Sequence, residues 1–412
     1  MMGNGSALQG GNSEGSNQQM KSFCAFFLKT VVVLVSLMGL AWPVFWSEPV
    51  EVASAPSPEP VVAAEEAPPP QEEEAQAVET QQPVEEKNQA LRKAPVAVRG
   101  IYITSWTAGS SRFPELVRFV KNNNLNAMVI DLKDDTGVCS FQTEVDFARK
   151  IGAQSRRIAE LPKLLADLKK EGIYTIARIV AFKDSHLARK RPDLAFQAKS
   201  GGIWRDRKGE SWVSPYSQEV WQYLTELGKE AIRIGFDEVQ YDYVRFPSDG
   251  KLSNLVYPEG RPVTKQISAF LCYATEEIHS VNPAAIVSAD TFGLAGSAQD
   301  DLGIGQYLEE LDGTVDYLSP MAYPSHYAPG TYGLANPNAN PYQTIKESIG
   351  DHQKRLTKSR LRPWLQAFTL GPPAYGVGEL QDQIKALREL DVDEFLLWNP
   401  GSRYGVFAGG IR

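Results

Sequence analysis

Read as apolar and polar positions, the chain changes texture at about Arg99. Downstream, short runs rich in β-branched and aromatic residues alternate with longer stretches whose apolar residues recur at i, i+3, i+4 and i+7. That alternation is the signature of parallel βα units. Eight strands are predicted, at 100–106, 127–133, 174–182, 238–246, 286–292, 315–323, 362–368 and 394–399. Amphipathic helices are predicted between them, with one weaker stretch near 300–312. Gly172 and Gly235 end two of these helices just ahead of a strand, where a left-handed residue closes the last turn. Eight strands in a segment of this length predict an α/β fold, a closed (β/α)8 TIM barrel over 98–412. A doubly wound open sheet competes, but it calls for a glycine-rich phosphate turn after the first strand, and TSWTAGSS is not one.

Upstream, the pattern predicts three different pieces. Residues 1–20 are rich in Gly, Ser, Asn and Gln and are expected to be disordered. Residues 21–46 form an apolar run, of which Thr30–Trp46 alone reaches the lower limit for crossing a bilayer. We expect a transmembrane anchor or signal segment there. The small residues of Ala53-Ser54-Ala55 suit a cleavage site, but Pro56 follows them at a distance from the apolar run, so the retained anchor is preferred. Lys21 and Lys29 precede it and only glutamates follow closely, an asymmetry that puts the barrel outside the cytoplasm, at the cell membrane, or secreted if the segment is cleaved. Residues 47–97 are a Pro/Glu/Ala-rich linker, extended by proline stiffness and like-charge repulsion.

Charge changes the picture of partners. The net charge of −8 divides into +1 for residues 1–47, −10 for 48–87 and +1 for 88–412, where 39 basic groups face 38 acidic ones. The acidity thus belongs to the linker. The barrel lacks the basic excess that would displace counterions from phosphates, so a nucleic-acid partner is not expected. Cys24, Cys139 and Cys272 match no zinc spacing, and buried free thiols are expected at the latter two. Four histidines form no metal-binding pattern, so carboxylates are left to carry acid–base chemistry, and no metal or other cofactor is expected.

Barrel active sites lie at the carboxyl ends of the strands. Period-two alternation places Asp131 and Lys133 on one face of the second strand, Arg178 late on the third, and Glu238, Gln240 and Asp242 on the fourth. Ser288 and Asp290 share a face of the fifth; Met321 and Tyr323 follow on the sixth, Gln366 on the seventh and Trp398 on the eighth. Neighbouring strands lie about 4.8 Å apart, so Asp242 and Asp290 are expected to meet across the mouth. Such a pair suits glycosidic bond cleavage, one carboxylate attacking the anomeric carbon while the other protonates the leaving oxygen. A purely structural role would instead pair Asp242 with Arg245 or Arg178 and have Asp290 cap the next turn. Trp106, Tyr323, Trp398 and Tyr404 offer flat faces to a pyranose, and Asp131, Lys133, Arg178 and Gln366 can bond hydroxyls. Long connections at about 183–217 and 324–341 are expected to wall a cleft.

The strings RGIYITSWTAGS, VIDLKDDTG, FDEVQYDYVRFPSDG, SADTFGLAG, YLSPMAYPSHY and LLWNPGSRYG together resemble the bacterial "putative glycosyl hydrolase domain" family. That family is distantly similar to the alpha-amylase and alpha-galactosidase barrels. The resemblance covers 98–412 and implies a (β/α)8 fold with O-glycosyl hydrolysis of a poly- or oligosaccharide. It also implies a nucleophile at Asp242 and an acid/base at Asp290, the ends of strands four and five. Amylase-type barrels usually carry Glu at the second position, and alpha-galactosidase-type barrels take the acid from strand six, where Met321, Tyr323 and His326 stand here. The expected enzyme is thus a retaining glycoside hydrolase of the cell envelope, with Trp106, Asp131, Lys133, Arg178, Gln240, Arg245, Tyr323, His326, Gln366 and Trp398 binding the sugar. The alternative is a catalytically silent barrel that docks on carbohydrate or cell wall. A metal-assisted deacetylase or phosphoesterase lacks histidine ligands.

Overall fold

A computed structural model describes residues 92–257 and 263–411. The expected disordered terminus, the membrane segment at 21–46 and nearly all of the 47–97 linker lie outside the described residues. Among the described residues no helix is long and apolar enough to cross a membrane.

The strands are β1 (Arg99–Ile103), β2 (Ala127–Lys133), β3 (Tyr174–Val180), β4 (Glu238–Asp242), β5 (Ile286–Phe292), β6 (Tyr317–Met321), β7 (Arg360–Leu361), β8 (Trp364–Gln366) and β9 (Phe395–Trp398). All pair in parallel, and the sheet closes where β5 meets β6. β7 and β8 share one stave: both pair with β6, and they are separated by Arg362 and Pro363. Proline has no N–H to give a ladder, which accounts for the break. The result is the eight-staved parallel barrel expected; the second and fifth strands match their predicted bounds and the others are shorter than predicted.

Period-two alternation sorts each strand between two cores. Met128, Ile130, Leu132, Ala177, Ile179, Val239, Tyr241, Val287 and Ala289 pack outward against the helices. Tyr102, Val129, Ile176, Ile286, Tyr317, Trp364 and Leu396 fill the barrel itself. The helix Gln218–Ile234 shows how the outer layer is specified. Ser217 caps it by accepting from the Val220 N–H at 3.3 Å, its buried face runs Val220, Leu224, Leu227 and Ala231, and Gly235 ends it at φ 115°. The weak stretch near 300–312 reduces to the single turn Leu308–Leu311. Short helices at Ser105–Ala108, Asp146–Ile151 and Ser185–Lys190 went unpredicted, being too brief to show a period.

The floor of the barrel is polar. Arg362 is fully buried and donates to both oxygens of Glu238 at 2.7 and 2.8 Å and to Glu394 at 2.9 Å. The Tyr317 ring lies 3.8 Å from its guanidinium carbon. This network offsets much of the desolvation of its charges, with only Nη2 of Arg362 left without a partner among the described residues, and closes the bottom, leaving the opposite end for chemistry. Cys139 is buried and free as expected; Cys272 is free but exposed, on the outer side of the helix Val263–Val281.

Candidate active site

At the carboxyl ends of the strands lies a cavity of about 370 Å³. Its wall includes Arg178, Asp242, Tyr243, Arg245, Asp290, Phe292, Met321, Tyr323, His326 and Trp398. Gln240 pairs with Ser288 and Tyr241 with Ala289, a register that sets Asp242 level with Asp290. Gln306 ties the two strand ends together: its Nε2 donates to Val244 O at 3.3 Å and Asp290 O at 3.1 Å, and its Oε1 accepts from the Phe292 N–H at 2.8 Å.

The two carboxylates have opposite environments. Asp242 Oδ2 accepts from Arg178 Nε at 2.9 Å and Nη2 at 2.5 Å, and Oδ1 accepts from the Tyr243 N–H at 2.6 Å. Tyr243 is in the left-handed region at φ 50°, uncommon for a bulky residue. That bend ends β4 at Asp242, four residues short of the predicted strand, and turns the N–H onto the carboxylate. Three N–H groups thus converge on the Asp242 carboxylate. Asp290 Oδ1 accepts from Trp364 Nε1 at 2.8 Å, while Oδ2 has no protein partner among the described residues. Burial, followed by the charge of Asp242, holds the Asp290 carboxyl well above the usual carboxylate range. Asp290 does not cap the following turn.

Behind Asp242 stands a buried support. Arg178 Nη1 donates to Asp131 Oδ1 at 2.6 Å, and the Tyr102 hydroxyl donates to Asp131 Oδ2 at 2.6 Å. The guanidinium carbon of Arg178 lies 5.4 Å from the Tyr102 ring and 5.2 Å from that of Trp398, which stack on each other at 4.0 Å. Tyr323 is buried beside both acids, and burial and their charges push its hydroxyl up. His326 packs against Tyr323 and Phe368, and burial lowers its pKa.

The structure brings Asp242, Asp290, Arg178, Arg245, Tyr323, His326 and Trp398 onto one wall and moves other expected residues away. A bulge in β2 between Asp131 and Lys133 breaks the alternation, so Lys133 faces outward, fully buried against Asp184 at 2.8 Å. Trp106 is 68% exposed and carries Arg157 on its ring, because β1 ends at Ile103 and the short helix Ser105–Ala108 takes it off the inward face. Gln240 is buried one layer down, bonded to Ser319 at 3.3 Å. Gln366 is also buried, holding the Ser325 N–H at 3.0 Å and Phe368 O at 3.1 Å. Asp131 acts through Arg178, and the Tyr404 hydroxyl donates to Tyr102 O and Leu397 O. None of these six borders the cavity.

The sequence reading passed over Tyr102 and Trp364, though both occupy inward positions of predicted strands. It also missed Tyr243 and Phe292 on the cavity wall and Trp212 behind it. Of the two long connections expected to wall the cleft, only the second reaches the cavity wall; the first stands behind it. The first is braced by isolated bridges such as Lys183–Trp212 and Ala195–Val213 and supplies Trp212, and the second supplies His326 and Tyr327. Among the described residues no group of His, Cys, Asp and Glu is placed to hold a metal ion.

Residues 100–404 match the sequence profile of the family described as "Putative glycosyl hydrolase domain". No curated protein matches the chain. Among solved structures, a hypothetical protein from Ruminiclostridium thermocellum ATCC 27405 is 36% identical over 46% of this chain and 96% of its own, with a TM-score of 0.43. The beta-galactosidase from the psychrophilic Marinomonas ef1 is 12% identical over 76% of this chain and 58% of its own, at TM-score 0.50. The Bacillus cereus spore cortex-lytic enzyme SleL is 9% identical over 78% of this chain and 74% of its own, at TM-score 0.47. The likeness to the beta-galactosidase bears on the fold alone and agrees with a closed barrel.

Proposed function

The chain belongs to the "Putative glycosyl hydrolase domain" family, and from that premise we propose that it is a retaining glycoside hydrolase acting on a poly- or oligosaccharide outside the cytoplasm. Asp242 is the nucleophile and Asp290 the general acid/base. The observation that carries this reading is the contrast between two acids on one cavity wall. One is wrapped by N–H donors, and the other is buried with an oxygen free to carry a proton.

The mechanism follows from that contrast. Asp290, whose carboxyl burial and the charge of Asp242 hold above the usual carboxylate range, gives its proton to the glycosidic oxygen as the bond to the anomeric carbon breaks. Asp242 attacks that carbon and forms a glycosyl ester. Asp290, now ionised, takes a proton from water, and the hydroxide equivalent displaces Asp242 and restores both groups. Arg178 holds the nucleophile's Oδ2 in place, so attack passes through the oxygen lone pairs not engaged by its N–H groups. Trp398, Met321 and Phe292 offer apolar surface to the sugar's C–H face, and Tyr323 lies beside both acids to bond a hydroxyl. The apolar run at 21–46 anchors the barrel to the membrane, and the acidic linker spaces it from the surface.

A silent binding barrel is favoured by one observation, the pairing of Asp242 with Arg178, which could lock the carboxylate in a structural role. The unpaired, buried Asp290 speaks against it, since a binding wall has no use for a destabilised acid. Aryl glycosides and polysaccharides presented to the full chain and to Asp242→Asn test the choice. Turnover by the wild type alone supports hydrolysis; saccharide binding by both proteins with turnover by neither rejects it.

A further inference from the structure

Five cations are buried among the described residues: Lys133, Arg178, Lys183, Arg245 and Arg362. Four sit against carboxylates. Lys133 meets Asp184, Arg178 meets Asp131 and Asp242, Lys183 meets Glu210, and Arg362 meets Glu238 and Glu394. Arg245 is the exception, with no carboxylate among the described residues within ion-pair distance, although it is only 8% exposed. It borders the cavity that holds Asp242 and Asp290.

The surroundings of Arg245 hold the guanidinium still without neutralising it. Its carbon lies 4.8 Å from the ring centres of Trp212 and Phe292 and 5.2 Å from that of Tyr243. Nη1 donates to Phe246 O at 2.8 Å and to Ser248 Oγ at 3.3 Å. The remaining N–H groups have no protein acceptor among the described residues. Of the acids that act on it through space, Asp242 is taken by Arg178. Asp206 is taken by Trp212 Nε1 and turn N–H groups, and Asp249 by the Arg207 N–H. Three aromatic faces offset part of the desolvation cost of the cation. A buried cation held rigid and left unpaired is complete only when an anion arrives.

We propose that Arg245 recognises an anionic substituent on the sugar, so that the substrate is an acidic saccharide carrying a carboxylate or a phosphate or sulfate ester. The planar fork of a guanidinium matches such oxyanions in two-point contact, which a neutral hydroxyl cannot return. Arg178, the other guanidinium on this wall, is already engaged by Asp131 and Asp242. Selection for a charged sugar therefore falls to Arg245. The proposal rests on the saccharide reading of the cavity, not on turnover.

Calorimetric titration tests it with the full chain carrying Asp242→Asn, so that bound sugars are not consumed. The probes are glucose and galactose, their uronic acids and their 6-phosphates. We expect at least one acidic form to bind on the order of 10–100-fold more tightly than its neutral parent, the range of a charge-assisted hydrogen bond. Which acid gains separates carboxylate from phosphate. Arg245→Gln removes the preference and Arg245→Lys keeps part of it. Neutral and acidic forms binding alike, or a preference unchanged in Arg245→Gln, overturns the proposal; should that variant fail to fold, the neutral-to-acidic ratio of the parent protein decides alone. Binding of none of these sugars overturns this proposal, while the glycosidase reading is then judged on wild-type turnover of aryl glycosides and polysaccharides. Acid preference without turnover by the wild type supports the first and rejects the second.

Discussion

Arg178 and Asp242 meet through two N–H groups on one carboxylate oxygen, at 2.9 and 2.5 Å, while the third arm of the same guanidinium holds Asp131 at 2.6 Å. One cation therefore bridges two buried acids, from the strands on either side of its own, and the position of Asp242 depends on both partners. Replacing Arg178 by Met strands two carboxylates in a dry barrel, and we expect a loss of about 3–5 kcal/mol in unfolding free energy. Adding Asp131→Asn to that variant removes one stranded charge. Denaturant titration of the single and double variants should show a coupling of about 1–3 kcal/mol; additive losses would mean that Arg178 does not join the two.

Asp242→Asn keeps the size of the side chain and one of its two accepting oxygens while abolishing the nucleophile. With Arg178 and the Tyr243 N–H still supplying donors, the fold should survive, and turnover should fall by about 10³-fold or more. Anomer-resolved NMR of the wild-type product checks the stereochemistry at the same time. Retention is expected, and clean inversion would reassign Asp242 from nucleophile to base.

Gly109 belongs to the TAGS string that fails as a phosphate loop, and the structure gives it a different task. A Cβ built there would fall 1.7 Å from the backbone oxygen of Arg157. The segment carrying Arg157 packs directly on the turn after β1. Backbone cannot yield as a side-chain tip can, so Gly109→Ala should cost about 1–3 kcal/mol through overpacking, read as a fall in Tm. An unchanged Tm would show that the turn relaxes freely.

The barrel was legible because period-two runs and 3.6-residue stripes follow from which face of each element is buried. Asp242 and Asp290 were legible for the same reason, as inward positions at matched strand ends. Lys133 and Trp106 were misplaced where that periodicity fails, one at a bulge and the other in a four-residue helix. Neither feature leaves a pattern in sequence. Trp364 could have been read from its inward position. The three-ring enclosure of Arg245 could not, because Trp212 and Tyr243 come from two different connections and Phe292 from the end of β5.

Asp290 supplies a prediction whose sign separates catalysis from stability. Its folded-state carboxyl is raised, by burial first and then by Asp242, from an unfolded value of about 3.9. Below that value both states carry the proton, and the group does not bias folding. Above it the unfolded chain ionises while the folded protein keeps its proton, so the native state binds more protons and stability falls as pH rises toward the folded value. Asn in place of Asp cannot ionise and can still accept from Trp364 Nε1. Asp290→Asn should therefore match the wild type in Tm near pH 3.5 and exceed it increasingly from pH 4 upward, levelling off once the native acid has itself ionised. The same proton limits catalysis: wild-type turnover should decline on the alkaline side as Asp290 loses it. The variant should lose about 10²–10⁴-fold toward substrates with poor leaving groups and far less toward activated aryl glycosides, whose departure needs little protonation. Thermal melts across pH, set beside rates for the two substrate types, check both halves. A variant less stable than wild type at pH 7, or equally impaired on both substrates, would show that Asp290 is ionised at rest and is not the acid.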